Sequence, residues 1–508
     1  MPTFILGLMG ALGFWLGHAN PLTQLPLLVL LYPATLNELG LLAGSWRTAF
    51  RNGWLTGIAG ASAGLYWLAV PVHDYGNLPW VLAAPCAIAI GAYVGLYAGL
   101  FSTIAYALPA NLGAVRRAMV LGVVWYGLEQ LLGVFLSGFP WLPLASAFAP
   151  WPVVTQLAAA IGAYGLAGVL ACFALLGMNM ALGRQRLQST LCMGIILAIT
   201  ATWGIHRLSL PEDQSTPVRA SLVQGNINQD QKWEVAFQQS TVDRYLGLSA
   251  EAAATSTPDI VLWPETSMPF YYQEHKTYGP AIRAFAAAKN TAILLGAPGY
   301  ANKASGNKKW TVFNRAFLVG PDGNDAGHYD KEHLVPFGEY IPPGFDLPFL
   351  QNFMQGVGDF TPGVDTNPLR LGNLALGVLI CYETIFPEIA QQRVADGANL
   401  LVNISNDAWF GLTAAPEQHI QLAMLRAIEQ SRYVLRGTNT GISAIIDTRG
   451  RITERGGLFR AEVISGTAYA TTERTPYHRA APYMGYGGAL LVLLLLAVPR
   501  AATPSNRH

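Results

Sequence analysis

Leu376-Gly377-Val378-Leu379-Ile380-Cys381-Tyr382-Glu383 is an apolar run that stops on a thiol, a phenol and a carboxylate. Short aliphatic runs bounded by polar residues read as buried strands, so residues 374–381 are expected as one. Strand ends in layered α/β folds commonly present reactive groups. Taken alone, the run leaves Cys381 open between a buried structural thiol and a nucleophile. A nucleophile also needs a base and an oxyanion stabiliser.

Working outward, further strands are expected at 218–223, 259–263, 291–296, 312–319 and 399–404, and helices at 232–254, 281–289, 388–396 and 417–436. This alternation argues for an α/β layered fold over residues 210–481. Two motifs inside it carry chemistry. Trp263-Pro264-Glu265-Thr266 puts a carboxylate just after a strand, and Tyr329-Asp330-Lys331-Glu332-His333-Leu334-Val335-Pro336-Phe337-Gly338-Glu339 puts a lysine before a Pro/Gly turn. Each has a plain structural reading by itself: Glu265 as a cap, Lys331 as a surface charge. The stretch 336–363 holds five Pro and five Gly and carries Phe345, Leu347, Phe349, Leu350, Phe353 and Met354. A loop that long is uncommon unless it has a function; a lid or lipid-dipping loop and a segment folded back on the core are equally compatible with it.

The rest of the chain is of another kind. Of 508 residues, 52% are hydrophobic and 12% charged, where soluble domains carry about 25% charged residues. Residues 1–210 contain seven Arg, no Lys and three acids, Glu38, Asp74 and Glu129. Spanning helices need about 20 apolar residues, and eight candidate spans follow: 3–19, 22–37, 53–72, 80–109, 118–137, 153–182, 188–206 and 483–499. Basic pairs Arg47/Arg51, Arg116/Arg117, Arg184/Arg186 and Arg500/Arg507 fall in alternate loops. The positive-inside rule then puts both termini in the cytoplasm and residues 210–481 outside, which in a Gram-negative cell is the periplasm. The chain thus divides into spans one to seven (1–209), an outward domain (210–481) and span eight with a tail (482–508). Glu129, inside a span, reads as a hydrogen-bonded helix-holding group or as a functional acid. Gly138-Phe139-Pro140-Trp141 reads as a membrane anchor or as a floor beside an active site.

A net charge of +1 gives no basic field for nucleic acid. No P-loop or glycine-rich dinucleotide motif follows a strand. Cys86, Cys172, Cys192 and Cys381 have no zinc spacing, so neither cofactor nor metal is expected.

In combination and in this order, the Pro-Glu strand end, the Lys-x-x-Leu-x-Pro segment and the Cys-Tyr-Glu strand end resemble the nitrilase (carbon–nitrogen hydrolase) superfamily. Gln224-Gly225-Asn226, Asn314, Pro336-Phe337-Gly338-Glu339-Tyr340 and Asn406-Asp407-Ala408-Trp409-Phe410-Gly411 match as well. With the flanking spans and Gly138-Phe139-Pro140-Trp141, the chain resembles that superfamily's membrane-embedded branch, the apolipoprotein N-acyltransferase family. The resemblance implies an αββα sandwich inserted before the last helix and a Glu265–Lys331–Cys381 triad of base, electrostatic partner and nucleophile. It implies that Glu339 orients Lys331, that Tyr382 and Glu383 shape the pocket, that Asn314 supports the site and that Trp233 faces substrate. It also implies an acyl donor among membrane phospholipids, chiefly phosphatidylethanolamine, and an acceptor α-amino group on a lipoprotein's S-diacylglyceryl cysteine, with a thioester on Cys381 between them. Monomer is the default. A membrane-tethered amidase is the competing enzyme reading. A transporter would need further intramembrane polar groups beyond Glu129 and Gln130.

Overall fold

Apolar strands that are buried on both faces need two layers of cover, and the computed structural model supplies them by stacking two sheets. It describes residues 2–109, 111–302, 310–342 and 360–497. The first sheet has strand order β12-β1-β2-β3-β4-β5, formed by β1 (Pro217–Gln224), β2 (Ile260–Leu262), β3 (Ala292–Asn302), β4 (Trp310–Val319), β5 (Asp325–Asp330) and β12 (Glu462–Tyr469). The second has order β11-β10-β9-β8-β7-β6, formed by β6 (Leu369–Leu371), β7 (Leu374–Ile380), β8 (Leu400–Ser405), β9 (Val434–Thr438), β10 (Ala444–Ile446) and β11 (Ile452–Arg455). Each sheet has a parallel centre, β1-β2-β3 in one and β7-β8-β9 in the other, with antiparallel edges.

Leu222, Leu262, Leu294 and Leu318 of the first sheet meet Leu376, Val378, Val402 and Leu435 of the second in one core. The outer face of the first sheet is covered by α10 (Gln238–Thr255) and α11 (Tyr278–Lys289), through Val242, Tyr245, Ile282 and Ala286. The outer face of the second is covered by α12 (Pro387–Ala395) and α13 (Ala415–Gln430). The expected α/β sandwich is therefore present as four layers. Two boundaries differ from expectation. The helix expected at 417–436 ends at Gln430, because Ser431 turns left-handed at φ 50° and the chain re-enters the sheet as β9. The helix expected from 232 starts at Gln238; residues 225–234 instead form an irregular segment that leads into a 3-10 turn at Val235–Phe237.

The membrane half comprises α1 (Thr3–Gly17), α2 (Leu31–Leu41, entered through a 3-10 turn from Pro26), α3 (Trp46–Gly64), α4 (Ala69–Asp74), α5 (Trp80–Ala107), α6 (Ala114–Val134), α7 (Pro152–Thr155), α8 (Ala158–Ala181), α9 (Arg186–Ser209) and, after the sandwich, α14 (Pro476–Ala497). Among the described residues, four helical segments are long and apolar enough to cross a membrane: α5, α6 with its following turn, α8 and α9. A fifth counts if α3 and the Tyr66–Asp74 segment, bent by 67°, form one broken span. Thr3–Gly17 and Pro26–Leu41 are apolar but shorter, so length and composition stop short of the eight spans expected. α9 presents an apolar outer surface, where Leu187, Leu191, Ile195, Leu197, Ile199 and Ile205 are all exposed. The loop with Phe345, Leu347, Phe349, Leu350, Phe353 and Met354 lies outside the described residues, as do Arg500 and Arg507.

The two halves share one hydrophobic core. Trp67, Trp125, Trp141 and Leu166 of the membrane helices are continuous with Phe386, Ile389, Ile420 and Leu425 of the α12–α13 layer. Polar groups are matched across the same seam. α8 is broken at Gly162 (φ 72°), and the Ala163 N–H this frees donates to Glu429 of α13 at 2.7 Å. Within the membrane half, Glu129 accepts from Trp125 Nε1 at 2.8 Å and from the Leu144 N–H at 2.9 Å, tying its helix to the loop that carries Trp141.

Candidate active site

Glu265 follows β2, Lys331 follows β5 and Cys381 follows β7. Lys331 and Glu265 meet at 3.5 Å, and the Cys381 thiol is close enough to feel both charges. Lys331 is buried and its ammonium sits between two carboxylates, 2.8 Å from Glu339 Oε2 and 3.5 Å from Glu265 Oε1. Asn314, on β4, donates from Nδ2 to both carboxylates, at 2.7 Å each. The second oxygen of Glu265 accepts the Asn406 N–H at 3.0 Å, and Glu339 Oε2, the oxygen that faces Lys331, also accepts the Val335 N–H at 2.8 Å. Burial works against the Lys331 charge, but Glu339 and then Glu265 hold the ammonium above the ordinary lysine range.

Cys381 is buried and left-handed, at φ 52°. A non-glycine residue in that region is strained, and here the strain turns the chain from β7 into the 3-10 segment Cys381–Ile385. Burial pushes the thiol above its ordinary value; Glu265 adds to this, and Lys331 opposes it. The thiol is therefore neutral at rest.

Glu383 sits differently from a pocket-shaping residue. It is fully buried and accepts from Tyr329 Oη at 2.7 Å, from the Glu332 and His333 N–H groups at 2.7 and 3.1 Å, and from the Ile380 N–H at 2.6 Å. It staples the loop of Lys331 to the strand end of Cys381. Tyr382 points to the membrane half, where its hydroxyl donates to the Gly138 carbonyl at 2.8 Å and its ring stacks on Phe139. Trp233 is half-buried, and its Nε1 has no hydrogen-bond partner among the described residues.

Sequence reasoning passed over Lys232. It is buried, with Nζ 2.7 Å from Thr266 Oγ1 and 3.4 Å from the Glu265 carbonyl. A lysine inside Gln229-Asp230-Gln231-Lys232 reads as solvated, and nothing local marks it as buried. Sequence reasoning also passed over His419, whose Nε2 lies 3.2 Å from the Cys381 carbonyl oxygen, and gave no role to Asp407, 3.2 Å from His419 Nδ1. Among the described residues no cluster of three or more His, Cys, Asp or Glu could hold a metal ion.

The comparisons with known proteins cover both halves. Residues 219–477 match the carbon-nitrogen hydrolase family and residues 6–176 match the apolipoprotein N-acyltransferase N-terminal domain. An apolipoprotein N-acyltransferase of Geobacter metallireducens is 36% identical over 85% of this chain and 83% of its own length. One of Nitrosomonas europaea is 34% identical over 94% of each chain. Among solved structures, a mutant amidase from Nesterenkonia sp. aligns with 53% of this chain and 99% of its own, at 17% identity and a TM-score of 0.38. The chain belongs to the apolipoprotein N-acyltransferase family.

Proposed function

We propose that the chain transfers an acyl group from a membrane phospholipid to the α-amino group of the S-diacylglyceryl cysteine at the N-terminus of a lipoprotein. Glu265, Lys331 and Cys381 carry the reaction. Glu265 takes the thiol proton as Cys381 Sγ attacks the ester carbonyl of the phospholipid. The Lys331 ammonium and the Tyr382 N–H receive the oxyanion. Collapse breaks the ester C–O bond, and Glu265 returns the proton to the departing lysophospholipid oxygen. The acceptor amine then attacks the thioester carbonyl and loses its proton to Glu265, which hands it back to the departing thiolate.

The observation that carries this reading is the Lys331 ammonium clamped by Glu339 and Glu265 beside a thiol whose neighbour, Tyr382, reaches the membrane half. Both substrates are held in the bilayer by acyl chains worth about 0.8 kcal/mol per buried CH₂, so the thiol has to work at a membrane surface. An amidase for soluble substrates has no use for that seam. We read the membrane half as eight spans, the short helices α1 and α2 and the bent α3–α4 pair included, with both termini cytoplasmic, the sandwich periplasmic and the chain acting as a monomer in the inner membrane. Arg117 capping the α5 carbonyls at Ala105 and Leu108, and Arg184 paired to Glu38 at 2.6 Å, gather the basic loops at one end. Gly138 and Tyr75 meet the sandwich at the other.

The test supplies phospholipid alone and weighs the intact protein. An acyl adduct on Cys381 that hydroxylamine removes is expected, and neither adduct nor transfer in C381A. K331M is expected to slow adduct formation by about 10²–10³-fold, the usual loss for an oxyanion donor. Transfer without an adduct, or turnover of soluble amides in its place, overturns the reading.

A further inference from the structure

We propose that His419 is a positioning residue that fixes the Cys381–Tyr382 peptide plane, so that the Tyr382 N–H is aimed at the oxyanion. The inference rests on Cys381 being the nucleophile, as set out above. His419, on α13, is completely buried. Its Nε2 lies 3.2 Å from the Cys381 carbonyl oxygen. A carbonyl only accepts, so Nε2 carries the proton. Nδ1 faces Arg436 Nη2 at 3.1 Å and Asp407 Oδ1 at 3.2 Å. Burial, reinforced by Arg436, holds the imidazole below its ordinary value, so the ring is neutral and Nδ1 accepts from Arg436.

A trans peptide is rigid, with its C=O and the following N–H pointing in opposite directions. Holding the Cys381 oxygen from behind therefore orients the Tyr382 N–H in front. That N–H lies in the first turn of the 3-10 segment Cys381–Ile385, where backbone donors have no partner within the turn. A donor on the carbonyl side also polarises the amide and strengthens its N–H. The tether counters the strain of a left-handed Cys381 as well.

The support behind the imidazole is itself locked. Arg436 donates to Asp407 Oδ2 at 2.7 Å and Ser405 Oγ donates to Asp407 Oδ1 at 2.7 Å. A side chain at Gly441 would come within 2.3 Å of Asp407, so the carboxylate sits in a cradle only glycine leaves open. Burial opposes the Asp407 charge, but Arg436 holds its carboxyl well below the usual range. On its other side His419 packs against Trp141 of the membrane loop, 5.1 Å between ring centroids. The ring thus joins the membrane loop to the peptide bond that receives the oxyanion.

The test compares H419N with H419Q in the full-length protein, in detergent with phospholipid. Asn puts its amide where Nδ1 is and keeps the contacts to Asp407 and Arg436, but it falls short of the Cys381 carbonyl. Gln puts a donor where Nε2 is. For H419N, kcat for adduct formation is expected to fall about 10²-fold, with KM changed less than about threefold and the rate of Cys381 alkylation by iodoacetamide retained. For H419Q, most of the rate is expected to return. If H419N does not fold, H419F takes its place, keeping the ring against Trp141 without a donor. Rescue by Asn but not by Gln, a loss lodged in KM, or an unchanged rate overturns the inference while an inactive C381S leaves the nucleophile reading standing. Transfer retained by C381S overturns the nucleophile reading itself.

Discussion

Lys331 and Lys232 are both buried beside Glu265, and their surroundings shift them in opposite directions. Lys331 has two carboxylates within 3.5 Å and stays an ammonium. Among the described residues Lys232 has a hydroxyl and a carbonyl as its partners, and burial lowers its value to about 7 despite Glu265. An unfolded chain returns Lys232 to about 10.4. Between about pH 7 and 10.4 the unfolded state binds the extra proton, so this residue's contribution to stability rises with pH through that window, by up to about 5 kcal/mol in total. Thermal midpoints in detergent at pH 7 and pH 9.5 check it: the midpoint of wild type relative to K232M is expected to rise between the two, and a constant difference rejects the assignment. The two lysines also mark what a sequence can reveal at this scale. Lys331, Glu265, Cys381 and Glu339 stand in motifs with Pro, Gly or a strand end beside them, so their spacing could be read. Lys232 and His419 acquire their roles only from contacts with residues 34 and 38 positions away, and no local pattern carries that information.

At the scale of elements, the placement of Glu265 depends on what lies behind its turn. Gly296, on β3, packs so closely that a Cβ there would lie 2.6 Å from the Pro264 oxygen and from the Thr266 nitrogen, and 2.7 Å from Glu265 Cα. All of these are backbone atoms, so the turn would have to move. Overpacking of this kind costs about 1–3 kcal/mol, and small misplacements of a catalytic group cost about 10²-fold in rate. G296A is therefore expected to lower the thermal midpoint and to slow adduct formation at least about tenfold, checked by melting and by mass spectrometry; a wild-type rate would show that the turn has room. Strands β1 to β4, β7 and β8 were legible because each holds a short run of aliphatic or aromatic residues bounded by polar ones. β9 was not, since Val434-Leu435-Arg436 prolongs the helical pattern of α13, and only the left-handed Ser431 separates them. The edge strands β5 and β11 are largely polar. They are held by pairing with β4 and β10, which is a tertiary fact.

For the molecule as a whole, the question is what keeps a soluble-looking sandwich seated on a helical bundle, and Gln418 answers much of it. This one side chain, on α13, accepts from Trp67 Nε1 at 3.0 Å and from Trp141 Nε1 at 2.9 Å, and donates to the Ala19 and Gly64 carbonyls at 2.8 and 3.1 Å. It matches four polar groups of the membrane half at once, in a seam closed to water. The next residue is His419, which faces the Cys381 carbonyl, so docking and the strand end that bears the thiol are held by neighbouring positions on one helix. Replacing Gln418 by Leu strands two indole N–H groups and two carbonyls in an apolar interface, at about 1–3 kcal/mol each. The sandwich has its own core between the sheets, so it is expected to stay folded when the seam is lost. The expected result for Q418L is that the single thermal transition in detergent splits into two, with the sandwich melting close to its former midpoint. Cys381 is expected to remain open to alkylation while transfer between lipid-borne substrates falls steeply. A single unsplit transition together with full transfer would mean that apolar packing through Phe386, Ile389 and Ile420 seats the sandwich unaided, and that Gln418 only fills space.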